Sequence, residues 1–204
     1  MSSTSPLVSV PQSRPLDAPI VRVLQIIDQL AKEERCPYFI AGATARDLML
    51  HHVFGLSTGR ATRDVDFGLA VKSWVQFARL KQRFIANDGF QSHPQSQQRL
   101  TYSDANSGFT LPIDLIPFGG VSTERECIEW PPGRDIVMNV AGFEEALGTA
   151  VQVAIHKSLV VPVASVPGLA LLKLMAWFDR GPLLSGYKVN RFNWLRVSTK
   201  SLSE

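Results

Sequence analysis

Cysteine is scarce in this 204-residue chain: Cys36 and Cys127 are the only two, and their spacing matches no metal motif. A disulfide framework and a thiolate zinc site are both excluded on that count. The four histidines, 51, 52, 93 and 156, show no ligand spacing with Cys or Glu. No apolar run approaches the roughly 20 residues needed to span a membrane. The longest, 159–174, is broken by Pro162, Pro167, Gly168 and Lys173, so no membrane partner is expected. There is no internal repeat. The net charge of +3 is too small to argue for nucleic-acid binding by itself. Few cysteines and no signal-peptide pattern make a reduced, cytosolic setting the expectation.

What is present is the composition of a globular protein, with 45% hydrophobic and 19% charged residues, enough for one domain with a sizeable core. The Ser- and Pro-rich stretch 1–18 lacks periodicity and is expected to be a disordered leader. Residues 19–35 carry apolar side chains at helical spacing, with Pro19 near the first turn. The run 38–41 reads as a short buried strand, and 44–54 as a helix opened after Gly42. Residues 55–62 form a loop, and 64–71 a strand. Ser73 is placed to cap a helix over 74–86 whose stripe is Trp74, Phe77, Leu80 and Phe84. Two strands, 99–103 and 109–118, flank a turn at 104–108. A short helix over 143–147, a hairpin of 151–155 with 159–163, and an apolar helix over 166–178 complete the order. The pattern predicts a small mixed sheet with flanking helices, an α/β (α+β) domain over 19–180 rather than a long alternating parallel sheet. The segment 181–204 has no clear apolar period and reads as an atypical tail, expected to be poorly ordered after about Gly181.

Three places in this frame carry chemistry. Gly42-Ala43-Thr44-Ala45-Arg46-Asp47 joins a strand to a helix, a junction that turns backbone N–H groups toward an anion. The same glycine turn also serves purely steric ends. Asp64 and Asp66 lie two apart on a strand and share a face. Like charges side by side repel, and hard oxygen ligands suit Mg²⁺ or Mn²⁺. The alternative is a strand edge with two solvated aspartates, against which stands the apolar alternation Val65, Phe67, Leu69, Val71. Asp114 sits inside the apolar run Leu111-Pro112-Ile113-Asp114-Leu115-Ile116, where a lone carboxylate is costly. Either a metal shared with Asp64 and Asp66 or a salt bridge to an arginine such as Arg99 would partner it.

A glycine turn, a D-x-D strand and a third Asp on a neighbouring strand resemble the layout of the polymerase-beta-like nucleotidyltransferases. Within that superfamily the chain from about Tyr38 to Arg180 looks most like the minimal bacterial enzymes and the toxin-type proteins of abortive-infection systems. The Gly42-to-Asp47 run with Thr62-Arg63-Asp64-Val65-Asp66-Phe67 is also similar to the paired motifs of tRNA CCA-adding enzymes. The resemblance implies a nucleotidyltransferase-like fold and transfer of a nucleoside monophosphate from an NTP to a hydroxyl, releasing pyrophosphate. It implies that Gly42, Ala43 and Thr44 hold the triphosphate, and that Asp64, Asp66 and Asp114 are catalytic and bind Mg²⁺, with Mn²⁺ as the substitute. Arg63 would assist with phosphate charge. Arg46 is expected to pair with Asp47 instead. Lys173 would join the nucleotide site, as a similar Lys does in the toxin-type relatives, where an Arg follows, here Arg180; otherwise it snorkels to the surface.

The sequence departs from that pattern in three respects. Gly42-Ala43 replaces the usual Gly-Gly or Gly-Ser, the stretch from Ala43 to Asp64 is longer than in the minimal enzymes, and the usual Lys-Asp-x-x-Asp segment after the lysine helix is missing. A tRNA end, a protein hydroxyl or a small molecule such as an aminoglycoside would each serve as acceptor. The rival expectation is a catalytically idle relative acting as a binding or regulatory module, one half of a toxin–antitoxin pair.

Overall fold

The computed structural model describes residues 7–57, 64–105, 107–134 and 136–180. The tail 181–204 and Arg63 lie outside the described residues, as does the side chain of Arg180.

A mixed sheet of eight strands forms the centre, in the order β1-β9-β10-β2-β3-β6-β5-β4. In chain order these are β1 (Leu7–Ser9), β2 (Tyr38–Ala41), β3 (Val65–Val71), β4 (Phe90–Ser92), β5 (Arg99–Asp104), β6 (Phe109–Gly119), β9 (Val151–His156) and β10 (Leu159–Val163). A separate ribbon pairs β7 (Cys127–Glu129) with β8 (Val137–Asn139). Among the described residues five helices accompany them: α1 (Ala18–Glu33), α2 (Gly42–Asp47), α3 (Trp74–Ile85), α4 (Phe143–Gly148) and α5 (Val166–Arg180). Beyond Asp47, α2 runs directly into a π-helical turn, Leu48–Val53.

Both faces of the sheet are covered, because its central strands are buried whichever way their side chains point. On one face Tyr38 and Phe67 meet edge to face at 6.3 Å, and the Tyr38 hydroxyl donates to Asp28 of α1. Helices α1 and α3 pack together there. Their apolar stripes follow the 3.6-residue period, and Val23, Leu24, Ile27, Phe77, Leu80 and Phe84 are all buried. Ser73 accepts a hydrogen bond from the Gln76 N–H, the expected cap, worth about 1 kcal/mol. On the other face Phe39, Phe118 and Phe143 form an aromatic cluster with centroids 5.5–6.0 Å apart, which seats α4 against the sheet. Gly68 is required there: a β-carbon on it would run into the Phe39 ring.

Of the expected leader, residues 1–6 lie outside the described residues, and the rest is structured. Residues 7–9 add β1 in parallel to β9, and the Arg14 guanidinium donates to the carbonyls of His52 and Val53 at 3.1 Å each. His52 Nδ1 bonds the Arg14 carbonyl in return, at 2.8 Å. These contacts tie the start of the described chain to the end of the π-helical turn. The helix after Gly42 begins at the glycine itself, and Asp64 lies just before β3 rather than on it. Trp130 is buried against Trp74 and Phe77 at 5.2 and 5.5 Å.

Candidate active site

The site follows from strand register. The parallel ladder of β3 and β6 sets Asp66 level with Asp114. The antiparallel ladder of β5 and β6 sets Arg99 level with Asp114 on its other side. Antiparallel pairing of β2 and β3 sets Ala41, the last residue before Gly42, beside Asp66. Neighbouring strands lie about 4.8 Å apart, so Ala41, Asp66, Asp114 and Arg99 form one row across four strands.

Asp66 is buried, contrary to a solvated strand edge, and is only 1% exposed. Burial pushes its carboxyl well above the usual carboxylate range; the charges of Asp114 and Asp64 push the same way, and Arg99 opposes them. Its Oδ1 is buried with no hydrogen-bond partner among the described residues. Gly42 closes over this carboxylate with a positive φ of 64°, and a β-carbon there would overlap Asp66 Oδ2. Only glycine meets both demands, the left-handed backbone and the missing side chain.

Asp114 has a partner in hand. Arg99 Nε donates to Oδ1 at 2.8 Å and Nη2 to Oδ2 at 2.6 Å, a two-pronged fork. Of the two partners the sequence left open, the structure displays the arginine. The bond to Asp114 is the largest influence raising the affinity of the Arg99 guanidinium for its proton.

Thr44 links two parts of the site. Its hydroxyl donates to the Asp64 backbone carbonyl at 2.7 Å, clasping the start of α2 to the entry of β3. Arg46 pairs with its neighbour Asp47 at 2.8 Å, as expected. Lys173, exposed on α5, borders a cavity of about 210 Å³ together with Gly42, Ala43, Arg46, Leu50 and Leu169. The structure therefore brings Lys173 to the same turn as Gly42.

The fit to a divalent cation is uneven. Among the described residues Asp66 presents an unpartnered buried oxygen, and the charges of Asp114 and Asp64 act on it from either side. That is a donor set suited to a hard cation. Yet among the described residues no three Asp, Glu, His or Cys side chains converge to hold an ion as they stand. Asp66 thus keeps an oxygen open to a cation, while both oxygens of Asp114 accept from Arg99. Arg99 had surfaced in the sequence only as a salt-bridge alternative. Its signal was the alternation of 99–103, which becomes readable once the register with 109–118 is known.

A mixed sheet with a glycine turn closed over a buried carboxylate row is the frame of a nucleotidyltransferase-type α/β protein. The chain belongs to the family described as nucleotidyl transferase AbiEii toxin of type IV toxin–antitoxin systems, whose model matches residues 23–184. No curated protein matches it. Among solved structures it is similar to a putative nucleotidyltransferase from Thermotoga maritima, at 13% identity over 83% of this chain and 93% of that one, with a TM-score of 0.45. It is also similar to ANT(2")-Ia in complex with adenylyl-2"-tobramycin, at 16% identity over 80% and 78% of the two chains, TM-score 0.43. The third is the Thermotoga maritima CCA-adding enzyme complexed with tRNA, at 19% identity, TM-score 0.34. There the match covers 52% of this chain and spans only 22% of that one. No helix among the described residues is long and apolar enough to cross a membrane.

Proposed function

We propose that this nucleotidyltransferase-family chain moves a nucleoside monophosphate from an NTP to a hydroxyl acceptor and releases pyrophosphate, with Mg²⁺, or Mn²⁺ in its place, at Asp64 and Asp66. The observation that carries the reading is the buried, unpartnered Oδ1 of Asp66 beneath the Gly42 turn, in a chain of this family. When bound, the cation would neutralise phosphate charge and lower the pKa of the attacking hydroxyl.

The chain's own groups then have separate tasks. The Gly42 turn brings its backbone against the Asp66 carboxylate with no side chain between them. Thr44 fixes the distance from that turn to Asp64 through its hydrogen bond to the backbone. Lys173 offers a mobile ammonium at the rim of the cavity beside Gly42, suited to a triphosphate as a point charge. Asp114 completes the carboxylate row, and Arg99 holds it in place. The acceptor, whether a tRNA end, a protein or a small molecule, brings the hydroxyl. The toxin–antitoxin description of the family supports an antitoxin as the counterpart of this chain, and the reading places both in the cytosol.

A thermal-shift titration tests the reading, using ATP, CTP, GTP and UTP, with Mg²⁺ or with EDTA, on the wild type and on Asp64→Asn/Asp66→Asn. Magnesium-dependent stabilisation by a nucleotide is expected, growing with ligand concentration by mass action and lost in the double variant. A folded wild type that no nucleotide stabilises would favour the idle-module alternative.

A further inference from the structure

We propose that the chain carries a second ligand site, a fissure between the start of β2 and β10 that takes a small amphiphilic anion: an apolar body bearing one carboxylate or phosphate. The site is separate from the carboxylate row and independent of the reaction proposed above. Tyr38 opens β2 and Ala41 closes it, so the fissure lies roughly 10 Å along the strand from the end that carries Gly42.

The fissure has a cause in the sequence. β2 and β10 pair in parallel, with Ile40 opposite Val163. The Ala164 N–H donates to the Ile40 carbonyl at 2.9 Å. The next such bond of a parallel ladder, two residues back, would run from the N–H of residue 162 to the carbonyl of Tyr38. Residue 162 is proline, which has no N–H to give. Among the described residues the pairing of these two strands goes no further than Val163 and Ile40. Beside the break lies a cavity of about 630 Å³, larger than the one of about 210 Å³ at the Gly42 turn. Small-molecule sites occupy roughly 300–1,000 Å³ and combine apolar walls with a few polar groups. Here Val160 and Pro162 of β10, with Leu147 and Ala150 at the end of α4, supply the walls. The polar groups are Gln152 of β9 and the Asp28 carboxylate, which accepts from the Tyr38 hydroxyl at 3.2 Å and from Lys32 at 2.6 Å.

Charge decides what the cavity takes. Lys32 is paired with Asp28, Glu34 with Arg79 and Arg83, and Glu33 with Arg83. Arg35 also lines the cavity, and its exposed guanidinium has no hydrogen bond or ion pair among the described residues. It is the cation left over at the mouth, and its planar fork matches a carboxylate or a phosphate. The backbone of Arg35 sets it apart as well. It follows α1 with a φ of 49°, and the Cys36 N–H closes the helix end onto the Ala31 carbonyl at 2.9 Å. Glycine takes this left-handed position at helix ends without strain. An arginine there forgoes the unstrained residue, and what the position gains is a guanidinium at the mouth of the cavity.

Binding of anilinonaphthalenesulfonate (ANS) to the full chain in EDTA tests this. ANS joins an apolar ring system to one fixed negative charge, and its fluorescence reports an apolar site. One saturable site is expected on the wild type. Arg35→Gly relieves the left-handed backbone, so it is expected to keep or raise the urea midpoint while weakening ANS about tenfold. Val160→Trp fills the cavity and is expected to abolish the site. Lys173→Ala, at the other cavity, is expected to leave ANS affinity within about twofold of wild type. Naphthoate and naphthyl phosphate are expected to displace ANS, the better competitor naming the anion, and the uncharged naphthylmethanol to do so about tenfold less well. A folded wild type without a saturable site would overturn the proposal. So would unchanged affinity in Arg35→Gly, or equal displacement by the alcohol. Loss of binding in Lys173→Ala would put the probe in the other cavity and overturn it too. Arg35 is exposed, so Arg35→Gly keeps the test open if Val160→Trp does not fold. The Mg²⁺–NTP titration is read separately, so either reading can fail without the other.

Discussion

Gly42 and Asp66 are in direct opposition: the backbone of one closes over the carboxylate of the other, with no space for even a methyl group between them. The left-handed φ of 64° at Gly42 adds a second requirement that only glycine meets cheaply. Gly42→Ala would therefore pay twice. The left-handed backbone costs about 1–2 kcal/mol, and displacing a buried carboxylate adds to it. We expect a loss of roughly 2–4 kcal/mol in urea unfolding and loss of nucleotide-induced stabilisation. Combining it with Asp66→Gly should recover part of the stability, because the clash is removed. Additive losses in the double variant would show that the two residues do not interact as described.

Asp66 also gives stability a particular pH dependence. Its carboxyl holds its proton to higher pH in the folded chain than in the unfolded one. Its contribution is fully present below the unfolded value of about 3.9 and is lost as pH rises toward the folded value. Asp66→Asn lacks this loss. In EDTA, the stability of the variant relative to wild type should climb as pH is raised above about 4. Glu33 and Glu34, held low chiefly by Gln29 and Arg79 respectively, slope the opposite way, but they are common to both proteins and cancel in the difference. A relative stability that falls with pH would contradict the burial of this carboxylate.

Trp130 supplies a test of packing away from the carboxylates. It fills the space between the β7–β8 ribbon and α3, and its indole Nε1 is buried without a partner among the described residues. Trp130→Ala should cost about 3–5 kcal/mol. Trp130→Phe should cost less than half of that, because it keeps most of the ring contact and removes an unpaired donor worth about 1–3 kcal/mol. Equal losses in chemical denaturation would mean that the indole N–H is satisfied after all.

Lys173 tests the cavity at the Gly42 turn. It is exposed, so Lys173→Ala should leave unfolding free energy within about 0.5 kcal/mol of wild type. Its effect should fall on the nucleotide instead, weakening Mg²⁺–NTP binding on the order of tenfold, or 1.4 kcal/mol. Isothermal titration reads this directly, and unchanged affinity would return Lys173 to the ordinary role of a surface lysine.

Much of the fold was readable because its long elements repeat cleanly. The stripe Trp74, Phe77, Leu80, Phe84 and the alternation Val65, Phe67, Leu69, Val71 each declare their period, and α1, α3, β3, β6 and the β9–β10 hairpin stand where those periods put them. Strands of three residues, such as β1, β4, β7 and β8, are too short to show a period of two. The π-helical turn at Leu48–Val53 leaves no mark either, since its residues suit an ordinary helix equally well. The depth of Asp66 was missed for a different reason. Alternation identified one buried face of β3, but parallel pairing with β6 and the helices on the far side bury the other face too. The Asp114–Arg99 fork depends on register between strands, which a linear pattern does not contain, and so the sequence could offer it only as one of two partners.

The parallel pairing of β3 with β6 also sets a time of assembly. Asp66 and Asp114 are neighbours in space but roughly 50 residues apart along the chain. At a synthesis rate of roughly 5–20 residues per second, several seconds separate their emergence from the ribosome. During that interval the nascent protein carries the D-x-D pair with neither the strand that flanks it nor the guanidinium that balances it. The row that joins Asp66 to Asp114 therefore comes into existence late, only once translation has passed the end of β6 and the crossover has closed.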